Sequence, residues 1–448
     1  MNLPLNLPPE QAVAKGSGVG CDIAGSFPCH DLVLSSAIMS DLFPEYPADP
    51  DEGPAEDRPG TGSPPPTKAD AAADPQAHPG PIPMVAFALA AMTPVPLLLL
   101  GAIFGGTWIW AGFLYMAVLS LILDQLIPHV AGHGEDGQEF PGADILLAAI
   151  GVSALVLLPV AVWAIAGASG LSTGQRVLLF FGAGFWLGQV GHPAAHELIH
   201  RSNRVLFRLG RAFYGAILFG QHASAHRLVH HRFVATDQDP NSAREGESFY
   251  HFAPRAWIGS FLQGWQAEDE LRERARQNAL REAGANGPGK AKRQGQRKHQ
   301  GLHPYLIYAI GAVISLSMGM AVAGPFGAAT WVLLALHAQM QVLVSDYVQH
   351  YGLRRRLRPD GRPEPVSARH SWNTAHWFSS AMMLNAPRHS DHHMHPSRPY
   401  PALRLPDEAP RLPWPLPLAC SLAFLPRTWR RAIRPHLKRW HDVEKRNP

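Results

Sequence analysis

The sequence predicts an all-α integral membrane protein, with six transmembrane helices and a cytoplasmic helical cap that holds a histidine-rich metal site. Three observations carry this expectation. Apolar runs long enough to cross a bilayer recur between Pro83 and His350, and basic residues gather in the loops on one side of them. Most of the 24 histidines fall in short bursts after residue 190. A helical crossing needs about 20 predominantly apolar residues.

Residues 1–82 are rich in Pro, Ala, Asp and Gly, as in GTGSPPPTKADAAADPQAHPG. Such a composition cannot bury a core, so a disordered extension is expected. Its start, MNLPLNLPPE, has neither the charged beginning nor the apolar stretch of a signal peptide. Residues 83–195 carry four spans: MVAFALAAMTPVPLLLLGAIF, WIWAGFLYMAVLSLILDQLI, DILLAAIGVSALVLLPVAVWAIAG and VLLFFGAGFWLGQVG. The turn between the first two, around Gly105 to Trp108, is short enough to make them a hairpin. Residues 196–302 form a long polar interruption with the first two histidine clusters. Residues 303–350 supply the last two spans, YLIYAIGAVISLSMGMAVAG and WVLLALHAQMQVLVSDYV, and residues 351–448 hold the third cluster.

Charge sets the orientation. The segment from Arg201 to Lys298 and the LRRRLRPDGR stretch are crowded with Arg and Lys, whereas the turns GASGLSTGQR and GPFGAA share a single Arg. Cytoplasmic loops carry the excess of basic residues, so both termini and every histidine cluster are expected in the cytoplasm. The net charge of +4 is read as this bias and not as a nucleic-acid surface. The three cysteines, Cys21, Cys29 and Cys420, form no CxxC pair, which excludes a four-cysteine metal site and a disulfide framework.

The first burst is His196-Glu-Leu-Ile-His200. Histidines four apart share a helical face and can reach one metal. The second, His226-Arg-Leu-Val-His230-His231, repeats the spacing and adds a neighbour. The third is His389-Ser-Asp-His392-His393, and His350 stands in QHYGL where the last span ends. First-row ions take about four to six ligands, so nine imidazoles suggest two metals with positions left open. HELIH also satisfies the HExxH pattern of zinc proteases, with Glu197 as general base, but that reading leaves seven of the nine histidines without a role. A metal transporter would carry polar ligands at bilayer depth, where these spans are apolar.

HELIHR, HRLVHHRFVATDQDP, GESFYHFAPR, DYVQHYGL and LNAPRHSDHHMHPSRPYPALR follow one another in this order. Together they resemble the bacterial membrane alkane 1-monooxygenases, the AlkB family, relatives of membrane desaturases and of xylene monooxygenase. The resemblance covers about residues 84 to 430. It implies two iron ions held by His196, His200, His226, His230, His231, His350, His389, His392 and His393. It also implies dioxygen, electrons from NADH through a reductase and a rubredoxin, and a place in the bacterial inner membrane. Hydroxylation of an aryl methyl group or a terpene, or desaturation of an acyl chain, uses the same ligands and stays open. The family pattern has an acid before the first histidine of the second burst and a Glu before QHYGL's histidine; here Ala225 and Gln349 stand there.

Imidazoles leave the metal charge uncompensated, and Glu197, Asp237, Asp239 and Asp391 are the acids expected to orient the rings. An alkane dissolved in the bilayer is expected to enter a slot lined by Phe113, Met116, Val118 and Leu119 on the second span. The resemblance implies that Met116 stands where a bulky residue limits chain length, with simple packing or lipid contact as the alternative, and a flexible Met there favours medium-to-long chains. Arg354, Arg355, Arg356 and Arg358 are candidate docking charges for an acidic rubredoxin.

Overall fold

Once water is absent, a run of Leu, Ala, Val and Phe satisfies its backbone as a helix, and the apolar runs here are helical. The computed structural model describes residues 81–127, 132, 138–285 and 301–446. Nearly all of the expected extension, residues 1–82, therefore lies outside the described residues. Among the described residues every regular element is a helix, and β-pairing is confined to the isolated bridges Leu357–Pro363 and Asn373–Arg411.

In chain order, α1 is Met84–Phe104, α2 is Thr107–Leu126 and α3 is Ala143–Ala166. Gly105 and Gly106 join α1 to α2 at φ 65° and 63°, a conformation open to glycine because it has no Cβ, so the hairpin turn is as short as expected. α4 (Thr173–Trp186) opens on a capping box of Ser172 and Gln175, then passes through a π-turn at Leu187–Gly191 into α5, His192–Ile199. α6 (Arg204–Ala216) is capped by the Asn203 side chain. α7 (His222–Ala225) leads into a further π-turn at His226–His230. Beyond these lie α8 (Phe249–Ala285), α9 (Pro304–His350), α10 (Trp377–Met382), α11 (His389–Met394), α12 (Leu416–Ala423) and α13 (Pro426–Arg446).

Four helices, α1, α2, α3 and α9, are long and apolar enough to cross a membrane. α9 runs for 47 residues but leaves helical geometry at Ala323 and Gly324, so it carries both of the last two apolar runs. The fourth expected run is divided instead, because α4 keeps 14 residues before its π-turn. Large apolar side chains such as Leu89, Phe104, Ile145, Val313 and Phe326 face outward, as surfaces in contact with lipid do. α3 and α4 both pack along α9. At Gly184 a Cβ would sit 1.8 Å from His337 Nδ1, and the missing side chain lets α4 and α9 approach closely. Gln341 Nε2 of α9 donates to the Gly184 carbonyl at 2.7 Å across the same crossing. The end of α9 carries His350 to α11, where its Nε2 is 3.1 Å from that of His389.

Candidate metal centre

Each burst of histidines sits on a short helical piece, and the pieces face one another. His196, His200, His226, His231 and His392 form one group, and His230, His350, His389 and His393 a second. Within each group the possible ligand atoms all lie within 4.8 Å of one another. The Nε2 atoms of His196 and His226 are 2.7 Å apart, and those of His231 and His226 are 2.9 Å apart. In the second group His389 Nε2 is 3.1 Å from the Nε2 of both His350 and His393. Imidazole nitrogens about 2.1 Å from a common ion would stand roughly 3 Å apart, so these separations are those of a coordination shell. His200 Nε2 and His230 Nε2 are moreover buried with no hydrogen-bond partner, which a metal would satisfy.

The second burst departs from the expected spacing. His226 and His230, four apart, belong to different groups, while His226 and His231, five apart, share one. The reason is the π-turn at His226–His230, whose wider turn realigns residues five apart. Neighbouring His392 and His393 likewise divide between the groups. The groups abut, with the rings of His231 and His393 4.6 Å between centroids.

Burial holds His196, His200, His226, His231, His389, His392 and His393 well below the ordinary histidine pKa, and the neighbouring imidazoles add to the effect. They are neutral near pH 7, the form that binds metal. His230 differs: burial lowers its pKa, but the charge and hydrogen bond of Asp239 more than reverse this. Its Nδ1 lies 2.9 Å from Asp239 Oδ2, an arrangement that aims Nε2 into the second group. Asp239 also accepts from Ser242 Oγ at 2.7 Å and from the Asn241 amide at 3.0 Å. Glu197 accepts from the Tyr400 amide at 3.1 Å and lies 3.9 Å from His392 Nδ1, and burial pushes its carboxyl up to about 7.

A cavity of about 90 Å³ opens onto His196, His226 and His389 from the side of α4, α9 and α12. Phe185, Pro193, Val344, Met383 and Phe424 supply its apolar wall, with Gln189, Gln341 and Ser421 among them. The carboxylate absent at Gln349 has a counterpart one helical turn's distance away: Asp346 is buried, lines this cavity and accepts from Asn241 Nδ2 at 2.6 Å.

Residues 172–413, more than half of the chain, match the model of the fatty acid desaturase family. The chain belongs to the fatty acid desaturase family. Within this family it is similar to alkane 1-monooxygenases, and it is an oxidoreductase of that type. Alkane 1-monooxygenase 2 of Alcanivorax borkumensis is 29% identical over 344 residues, covering 75% of this chain and 85% of the relative. Alkane 1-monooxygenase 2 of Pseudomonas aeruginosa is 27% identical over 351 residues, covering 77% and 88%. More distantly, the xylene/toluene monooxygenase hydroxylase component of Pseudomonas putida is 26% identical over 352 residues, 76% of this chain and 86% of that one.

In this desaturase-family site the expected acids divide. Asp239 and Glu197 face imidazoles, as described. Asp237 does not: its side chain is 84% exposed and its partner is Arg354 at 3.6 Å, because the turn after Thr236 directs it to solvent. Asp391 turns away from the rings as well, pairing with Arg398 and accepting from the Arg404 amide at 2.8 Å, so it ties down the loop beyond α11. The docking arginines are also engaged locally. Arg355 donates to the carbonyls of Val234 and Arg232, Arg356 to that of Glu444, and Arg358 pairs with Asp360 at 3.4 Å. On α2, Met116 is buried, Phe113 and Leu119 are half-buried and Val118 faces outward, and none of the four lines the cavity at the histidines. Asn241 and Ser242, which brace Asp239 and Asp346, were invisible to motif reading because small polar residues in a loop carry no periodic signal.

Proposed function

We propose that this chain hydroxylates the terminal methyl group of medium-to-long n-alkanes to 1-alkanols, using dioxygen and electrons from NADH delivered by rubredoxin reductase and rubredoxin. The observation that carries the reading is the pair of histidine groups, five and four, meeting at one cavity at the end of apolar helices. The nine histidines hold two iron ions, since neutral imidazole suits iron. When bound, the irons supply the oxidising power that a strong, apolar C–H bond demands and that no side-chain acid or base has. One oxygen atom goes to the methyl carbon and the other leaves as water, with two electrons and two protons consumed.

The chain's own part is positioning. Asp239 fixes the ring of His230, Glu197 sets a carboxyl 3.9 Å from the ring of His392, and Asp346 places a carboxyl at the cavity wall. Phe185, Val344 and Met383 hold an alkyl end by burial, worth about 0.8 kcal/mol per methylene, and exclude water from the reacting carbon. Six spans, counting α9 as two and α4 with its π-turn as one, would place the histidine groups at the cytoplasmic face of the inner membrane, consistent with the basic loops beside them. A second reading, attack on an aryl methyl group or a terpene or desaturation of an acyl chain, draws support from the polar atoms of Gln189 and Gln341 in the cavity wall and from the xylene/toluene relative.

Metal analysis of the detergent-purified protein, followed by NADH-driven turnover of octane through hexadecane with rubredoxin and its reductase, tests the proposal. Two irons per chain and 1-alkanol by mass spectrometry are expected. Two irons with product only from aryl-methyl, terpene or acyl substrates would transfer the assignment to the second reading. One zinc without oxygen uptake would refute both.

A further inference from the structure

The sequence PRTWRRAIRPHLKRWHDVEKR of α13 is strongly amphipathic, and its two faces have separate uses. Trp429, Ile433 and Leu437, four residues apart, are buried. Trp429 packs against Tyr351 and Tyr347, with ring centroids 5.5 Å and 6.1 Å away, and Leu437 closes over Gly352. This inner face therefore rests on the segment that immediately follows His350. At about 100° per residue, Arg427, Arg431, Arg434, Lys438 and Lys445 lie within about 40° of the direction opposite Trp429. All five are exposed. The single exposed acid on the described part of α13 is Asp442, so the outer face is a cationic stripe.

A basic amphipathic helix that binds a bilayer turns its apolar face into the lipid. Here the large apolar side chains Trp429, Ile433 and Leu437 are already occupied by the protein's own aromatic cluster, and beside the cations only the smaller Pro435 and Val443 are exposed on the described part of the helix. Charge complementarity then favours a protein partner with an acidic surface. We infer that the outward face of α13 is the docking surface for a small acidic one-electron carrier, whose electrons enter through Trp429 and Tyr351 beside His350. The inference rests on the oxygenase reading above, which requires an external donor. Two reduced carriers, each oxidised by one electron, supply one turnover. It also moves docking from Arg354, Arg355, Arg356 and Arg358, whose bonds are local, to a surface whose cations face outward and whose underside rests on Tyr351, the residue that follows His350.

Binding of rubredoxin to the full-length protein in neutral detergent, measured by calorimetry at low and at physiological salt, tests this without alkane, so an error in the substrate reading leaves the outcome unaltered. R431E/R434E/K438E is expected to weaken binding by about tenfold or more and to flatten its salt dependence. R431K/R434K/K438R, which keeps the charge, should bind like the parent. Unchanged helicity and metal content in the charge-reversed variant would show that the fold is intact. Equal affinity and equal salt dependence in parent and charge-reversed variant would overturn the proposal. So would normal rubredoxin binding accompanied by lost retention of added phosphatidylglycerol, which would assign the stripe to lipid headgroups.

Discussion

Replacing Asp239 with alanine removes the carboxylate that fixes His230, and it leaves His230 Nδ1, Ser242 Oγ and the Asn241 amide without their acceptor. Asparagine keeps the shape and an acceptor oxygen but deletes the charge. Partners that orient a metal-bound imidazole typically contribute about 10- to 100-fold in metal affinity, which corresponds to about 1.4 to 2.7 kcal/mol. Asparagine should fall near the lower value and alanine near the upper. Alanine should also lower thermal stability, because stranding buried polar groups costs about 1–3 kcal/mol each. Asp239 touches only the second group, so the effect should be confined to one ion. The assay is a chelator titration of detergent-purified protein, with metal per chain followed by mass spectrometry. One of two ions should leave at a 10- to 100-fold lower chelator concentration than in the parent, and the other should stay. Retention of both ions across the parent's chelator range in both variants would refute the role given to Asp239. Simultaneous loss of both would refute the independence of the two groups.

Further perturbations separate the cavity from the α2 slot. Met116→Trp is expected to shorten the range of alkanes accepted, and an unchanged product profile would remove α2 from the substrate path. Ser421→Trp, at the exposed end of the cavity on α12, is expected to exclude longer chains while sparing short ones; uniform turnover across octane to hexadecane would contradict entry there. Glu268 of α8, which accepts from Ser224 Oγ and belongs to neither histidine group, supplies a pH test. Burial pushes its carboxyl from 4.5 up to about 8, against the pull of Arg272. Between those values the folded protein holds a proton that the unfolded chain releases, so stability falls as pH rises through the window. Glu268→Gln lacks that loss, and its melting temperature, read by tryptophan fluorescence, should gain on the parent's from pH 5 to pH 8. Parallel melting curves would refute it.

The sequence was most informative where spacing alone decides geometry. His196 on α5 and His200 at its C-terminal cap, four apart, share a group as expected, and His389 and His393 do the same on α11. The helical character of the apolar runs was equally legible, since a lipid environment leaves the backbone few alternatives. The division of the ligands was not legible. It depends on a π-turn at His226–His230, and nothing in HRLVHH distinguishes that turn from a continued α-helix. Acidic residues were harder still. Asp237 and Asp239 differ by two positions in one loop, yet one faces solvent and the other His230, because the loop's hydrogen bonds to Ser242 and Asn241 set its course. The arginines after HYGL read as a free charge run, and backbone carbonyls that no sequence displays had already engaged several of them.

His230 with His231, and His392 with His393, each send adjacent side chains to different groups. Adding or removing one residue rotates everything that follows on a helix by about 100°, so an insertion or deletion within either block would misdirect several ligands at once. An exchange of side chain at an intervening position disturbs only its own contacts. These short blocks should therefore tolerate substitution at half-buried intervening positions such as Leu228 while rejecting any change of length, and the count of residues between the histidines is itself the feature that keeps the two groups distinct.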